Sequence, residues 1–191
     1  MRQRIRDILR NYHKAKIVDD RLTASAVIVP LFYREGECHV LFTERSDEVN
    51  FHKGQICFPG GCREPDDATL LDTALREARE EVGMDAGDVE ILGELDDNLT
   101  VTTSYVISPF VAFIPYPYGF KLDRREIKRV FSVPLSALMD EGIFREEHQT
   151  FDGKTIPVYF YEYEGHVIWG ATARILKRFI ELLSSEVRDL Q

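Results

Sequence analysis

Residues 68–83 repeat apolar side chains at the spacing of an α-helix, between flanking segments rich in strand-forming residues. At about 100° per residue, Leu71, Ala74, Leu75, Ala78 and Val82 fall on one stripe, and Gly83 offers a C-cap. Residues 23–33 and 38–43 are rich in β-branched and aromatic side chains, and the turn-like stretch between them predicts a hairpin. Further strands are expected near 88–95, 105–114 and 125–133, with Pro115 and Pro117 stopping the second of these. A hairpin over 149–163 turns at Asp152–Gly153. Residues 1–16 read as a short helix through Ile5, Ile8, Leu9 and Tyr12. A final helix begins near Gly170 and buries Ile175, Leu176, Phe179, Ile180 and Leu183. Strands lying between well-separated amphipathic helices predict an α/β fold, an α/β/α sandwich around a mixed β-sheet.

The helix at 68–83 also carries the chemistry. Glu77 and Glu81 are one turn apart at the edge of the apolar stripe, and Glu80 lies one step further round. Three carboxylates on about one turn repel each other. A divalent cation such as Mg²⁺, which prefers carboxylate and water oxygens, removes that penalty. Arg76, four residues before Glu80, is placed to neutralise and orient part of the cluster. Pro59–Gly60–Gly61 starts the loop into this helix, and glycine lets backbone carbonyls approach a metal or phosphate closely. A lone run of acids on a helix usually means a solvated face. Here the acids border the buried stripe and coincide with the glycine loop and Arg76.

Acidic residues outnumber basic ones 33 to 24, a net charge of −9, which disfavours a nucleic-acid partner. Such a chain binds a polyanionic substrate when metal ions lie between the two. The three cysteines, Cys38, Cys57 and Cys62, are odd in number and lack C-x-x-C spacing, so neither a disulfide framework nor a zinc site is expected, and a reducing cytoplasm is the simplest compartment. Cys57 and Cys62 have no base nearby and read as packing residues; Trp169, in an apolar stretch, reads as core. No membrane-length apolar run and no signal peptide is apparent.

The stretch 58–84 resembles the Nudix box, G-x5-E-x7-R-E-U-x-E-E-x-G-U. Arg76 through Met84 matches its second half, with Ala78 as a small member of the U class. In the first half, the sixth residue after Gly61 is Asp67 rather than Glu, and the loop is one residue longer. Upstream, residues 41–61 resemble the motif that precedes the box in coenzyme A pyrophosphatases. Leu41, Thr43, Arg45, Ser46, Gly54, Phe58, Pro59, Gly60 and Gly61 match, and Asn50 stands where that pattern has arginine. The likeness spans roughly residues 22–180. It implies an N-terminal helical extension over 1–21 and a Nudix domain over 22–191.

The resemblance implies an enzyme that needs Mg²⁺ or Mn²⁺ and hydrolyses the diphosphate of coenzyme A or its derivatives to 3′,5′-ADP and 4′-phosphopantetheine. Glu77, Glu81, Glu80 and the Gly61 carbonyl are the expected metal ligands. Glu77, Glu80 and Arg76 are expected to serve catalysis, with Glu80 or Glu126 taking the proton of water. Arg45, His52, Gly54, Phe58 and Gly60 are the expected substrate contacts. From the residues alone, Arg45 binds phosphate or pairs with Glu44 or Asp47, and His52 binds phosphate or caps its loop. The expected partner is a small nucleotide, not nucleic acid or membrane, with a homodimer left open. The rival readings are a Nudix enzyme for ADP-ribose, a dinucleotide or a modified nucleoside triphosphate, a non-catalytic nucleotide-binding sensor, and a plain structural α/β domain.

Overall fold

The computed structural model describes residues 1–49, 53–100, 104–151 and 153–188. Helix α1 (Arg2–Asn11) precedes the antiparallel hairpin of β1 (Thr23–Arg34) and β2 (Glu37–Arg45). Two short strands, β3 (Ile56–Cys57) and β4 (Gly60–Cys62), lead into α2 (Leu70–Val82). Strands β5 (Glu90–Glu94), β6 (Asn98–Leu99), β7 (Tyr105–Phe113) and β8 (Ile127–Pro134) follow, then the single turn α3 (Leu135–Leu138). Strands β9 (Phe144–Phe151), β10 (Lys154–Tyr163) and β11 (His166–Trp169) precede α4 (Gly170–Arg188).

The first eight strands form one sheet with the path β3-β2-β1-β7-β5; β4 joins β1, β6 joins β7 and β8 joins β2. Strands β1 and β7 run parallel from Thr23 opposite Tyr105 to Leu31 opposite Phe113, and the other pairings are antiparallel, so the sheet is mixed. Alternation along β1 divides the core. Val29 and Leu31 face one side with Ile5, Ile8 and Leu9 of α1 and Ile175, Leu176, Phe179 and Leu183 of α4. Ala26, Ile28 and Phe32 face the other side with Ala74, Ala78 and Val82 of α2. This is the expected α/β/α sandwich. Each fully buried large apolar side chain contributes about 1.5–3 kcal/mol.

Three local expectations are corrected. The first helix ends at Asn11, not near residue 16. Asp96 accepts hydrogen bonds from the Tyr12 hydroxyl and the Ala15 N–H, while the Asp97 N–H donates to the Ala15 carbonyl, so this stretch is drawn out beside β5. Ile180 is only half-buried, at the margin of the α4 stripe. Trp169 is 42% exposed, because β11 ends an outer three-stranded sheet, β11-β10-β9, instead of crossing the core. That sheet includes the expected hairpin; Asp152 of its turn lies outside the described residues, and Gly153 takes φ +76°. No described helix is long and apolar enough to cross a membrane.

The splay of β1 from β2 positions the site. Strand β2 pairs with β1 only through Glu37–Val40; beyond that, Thr43 and Glu44 pair with Cys57 and Ile56. Ser25–Val27 of β1 pair with Cys62–Gly60. The run 56–62 is thereby wedged between the two long strands, with its glycines against α2.

Candidate active site

The glycine loop tolerates no side chains. A methyl group on Gly60 would lie 2.2 Å from the Ala26 carbonyl oxygen, and one on Gly61 would lie 2.5 Å from the Glu77 carboxyl carbon. At Gly60 the loop thus abuts β1, and at Gly61 it abuts the Glu77 carboxylate of the acid helix. The Gly60 N–H donates to Glu81 Oε2 at 3.0 Å.

Helix α2 starts at Leu70 because Thr69 and Asp72 form a reciprocal capping box, and it ends at Gly83 in the left-handed conformation, φ +70°. Between these ends, Arg76 is the hub. Its Nε and Nη2 bind the two oxygens of Asp67 at 3.0 and 3.1 Å, and Nη2 also donates to the Cys62 carbonyl at 2.9 Å. Its Nη1 reaches Glu77 at 3.0 Å and Glu80 at 3.1 Å. Asp67 is buried and also accepts from the Thr73 hydroxyl and the Glu64 N–H. The Arg76 guanidinium, chiefly, holds its carboxyl well below the usual range. Aspartate in the lengthened loop thus ties the loop to the helix through Arg76. The sequence reading assigned Asp67 no such role, and its position nine residues before Arg76 gave no local signal.

The three helix acids sit in different surroundings. The Glu80 side chain is 60% exposed, Glu77 is 18% and Glu81 only 3%. Burial pushes Glu81 up to about 8, against the Gly60 hydrogen bond and the Arg45 charge, with the charges of Glu77 and Glu126 adding to the rise. Burial also raises Glu77, opposed by Arg76 and reinforced by Glu80 and Glu126. Glu126 reaches this cluster because its segment is bound to the end of α2. The Lys121 N–H donates to the Val82 carbonyl, the Asp123 N–H to the Glu81 carbonyl, and the Ser46 N–H to the Glu126 carbonyl. The acids are gathered but not closed into a cage: among the described residues, no three His, Cys, Asp or Glu side chains meet at ligand spacing. Arg76 holds Glu77 and Glu80 turned toward itself. A buried, poorly neutralised Glu81 beside Glu77, Glu126 and a side-chain-free backbone is a donor set suited to a hard divalent cation.

Arg45 pairs with neither Glu44 nor Asp47, the two partners considered from sequence. Its Nη1 lies 3.6 Å from Glu81 Oε1, and its Nε is buried without a hydrogen bond. Glu44 is taken by Arg129 and Lys128, and Asp47 faces Lys128. Gly54, at φ +65°, donates to the Arg45 carbonyl, while the Arg45 N–H donates to the Gln55 carbonyl. Phe58 is 2% exposed and stacks on Phe42, so it shapes the loop from behind and offers no surface to a ligand. His52 and Asn50 lie outside the described residues. Cys57 contacts the Thr43 hydroxyl, and burial pushes its thiol up to about 11, which leaves it an inert packing group. Cys62, expected to pack, is exposed instead because it ends β4 at the surface.

Comparison with known proteins agrees with this architecture. The NUDIX domain family matches residues 22–158. The chain is 33% identical over 166 residues to an uncharacterised Nudix hydrolase, NudL, of Photorhabdus laumondii, covering 87% of this chain and 88% of that one. The NudL protein of Yersinia pestis is 35% identical over 160 residues, covering 84% and 79%. The fold is similar to that of a MutT/nudix family protein from Enterococcus faecalis, with TM-score 0.61 and 17% identity over 88% of this chain and 64% of that one. A glycine loop seated on an acid helix, within a match that spans most of the chain, makes this protein a hydrolase of the Nudix family.

Proposed function

We propose that this hydrolase cuts the diphosphate of coenzyme A or a derivative, giving 3′,5′-ADP and 4′-phosphopantetheine, with Mg²⁺ or Mn²⁺ as its metal. The observation that carries the reading is the seating of Arg45 and the glycine pair on the acid helix. Arg45, Gly60 and Gly61 all meet the Glu77–Glu81 pair. Three of the residues that resemble the coenzyme A motif thus border the carboxylates. Glu77 and Glu81, with the Gly61 carbonyl as a further ligand and Glu80 at the rim, would hold the ion. A bound divalent cation neutralises phosphate charge and makes a coordinated water more acidic. Arg76 fixes Glu77 and Glu80, so the site is oriented before substrate arrives. Arg45, partly exposed beside Glu81, would meet a phosphate oxygen.

Either Glu80 or Glu126 takes the proton from water. Glu126 is the better base: Glu80 is bound to Arg76, whereas among the described residues Glu126 forms no ion pair, and its charge acts on both Glu77 and Glu81. The three cysteines are free, which suits a reducing cytoplasm.

Asn50, in place of the expected arginine, favours a second reading, a diphosphate substrate other than coenzyme A, such as ADP-ribose. Incubation with Mg²⁺ and a panel of coenzyme A, ADP-ribose, NADH and deoxynucleoside triphosphates, followed by product separation, decides between the two. Coenzyme A should give the highest kcat/KM. Turnover confined to another member overturns the coenzyme A assignment, and binding without turnover of any member overturns catalysis.

A further inference from the structure

Beyond the acid cluster, a groove of about 520 Å³ lies between the segment Lys53–Ile56, strand β8 and strand β11. Its two ends differ in chemistry. At one end, Lys53 is exposed and, among the described residues, has no acidic partner. Arg129 stands beside it with its guanidinium fixed from three sides. Nε is 2.6 Å from Glu44, Nη2 is 3.5 Å from His166 Nδ1, and the group lies over the Phe131 ring. Glu44, which also lines the groove, and Asp47 balance Arg129 and Lys128, so Lys53 carries the uncompensated charge. This leaves a cationic pocket on a protein of net charge −9.

At the other end, Val167 and Trp169 are 43% and 42% exposed. The indole is held nearly parallel to Phe160, at 11°, and Phe160 in turn carries Arg145. A cationic end and an oriented, exposed indole suit a ligand with a phosphate and a flat ring. Stacking on an aromatic side chain accepts any base, and lysine and arginine bind phosphate by charge-assisted hydrogen bonds. The groove is also near enough to belong to the same substrate. Ile56 in its wall is four residues before Gly60, at most about 14 Å of extended chain.

We propose that this groove binds the phosphorylated nucleoside half of the diphosphate substrate, with the base on Trp169 and the ribose phosphate between Lys53 and Arg129. The proposal rests on the coenzyme A reading for the identity of that half, and its test is independent of turnover. Trp169 is the sole tryptophan, so intrinsic fluorescence reports on the groove alone. Titration with 3′,5′-ADP should give a saturable change in Trp169 emission, with a Kd about tenfold or more below that of 5′-AMP, the scale of one charged phosphate contact. Lys53→Ala, at an exposed position, should remove most of that preference and leave 5′-AMP binding unchanged. In calorimetry, Trp169→Ala should weaken both ligands about fivefold or more.

Absence of any emission change with 3′,5′-ADP, or an undiminished preference in Lys53→Ala, overturns the proposal. If the ligand binds as described but coenzyme A is not hydrolysed, the groove stands and the substrate reading falls. If coenzyme A is hydrolysed and Trp169 stays silent, the reverse holds.

Discussion

Replacing Glu81 by glutamine should stabilise the metal-free protein while removing its activity. Burial raises this carboxyl from an ordinary 4.5 to about 8. Without metal, the unfolded chain therefore releases the Glu81 proton more readily than the folded one. Folding stability falls as pH rises from about 4.5 toward 8 and is unaffected by this group below that window. At pH 7.5, about three pH units into the window, the ceiling on the cost is about 4 kcal/mol. Glutamine avoids it. The amide has one oxygen where the carboxyl has two, so either the Gly60 N–H or Arg45 Nη1 loses its acceptor, which costs about 2–3 kcal/mol. The net gain is about 1–2 kcal/mol, or roughly 2–8 °C in Tm for a domain of this size.

Calorimetry in EDTA should show that gain at pH 7.5, and none at pH 5, where about half a unit of the window leaves less than 1 kcal/mol to recover. With Mg²⁺ present, kcat should fall at least about 10²-fold. A Glu81→Gln protein that is less stable than wild type in EDTA at pH 7.5, or whose Tm difference does not change with pH, refutes the assignment of an uncompensated buried carboxylate.

Other perturbations separate loop, helix and substrate effects. Asp67→Asn removes the bidentate partner of Arg76 and should cost about 2–3 kcal/mol in urea unfolding. Because this carboxyl is held below its usual range, the deficit should persist at neutral pH and narrow only as pH falls below about 4. Gly60→Ala places a methyl group 2.2 Å from backbone, so β1 and β4 must part; Tm and kcat should drop together, and an unchanged Tm would contradict the wedge. Glu77→Gln should keep its fold by circular dichroism and lose most of kcat. Asn50→Arg should lower KM for coenzyme A about 10- to 150-fold, as a new charged phosphate contact would, with little change for ADP-ribose; equal effects on both would show that this loop does not discriminate.

Features set by local sequence were legible without coordinates. The α2 stripe, its Gly83 terminus and the strand alternation of β1 needed only side-chain period and backbone preference. The Thr69–Asp72 capping box, equally local but not read from the sequence, places the start of the helix at Leu70, two residues after the expected start. What stayed hidden was long-range. Asp96 ends α1 from 84 residues away through Tyr12, and Glu81 claims Arg45 across the sheet in preference to its sequence neighbours. Trp169 misled because an apolar neighbourhood looks the same whether a strand crosses the core or edges an outer sheet. At the site, residue types and spacing identified the acid helix and its loop. They could not reveal that Asp67 and Arg76 lock the two together, or that burial treats Glu77, Glu80 and Glu81 so differently.

The most direct test of metal-dependent diphosphate cleavage is a ³¹P NMR time course with coenzyme A, first after exhaustive chelation and then after addition of Mg²⁺. The chelated protein should leave the diphosphate resonances intact. Mg²⁺ should convert them into equal amounts of the 5′-phosphate of 3′,5′-ADP and the phosphate of 4′-phosphopantetheine, with no inorganic phosphate released. Cleavage that proceeds at full rate without metal, or that yields inorganic phosphate while the diphosphate persists, would contradict it.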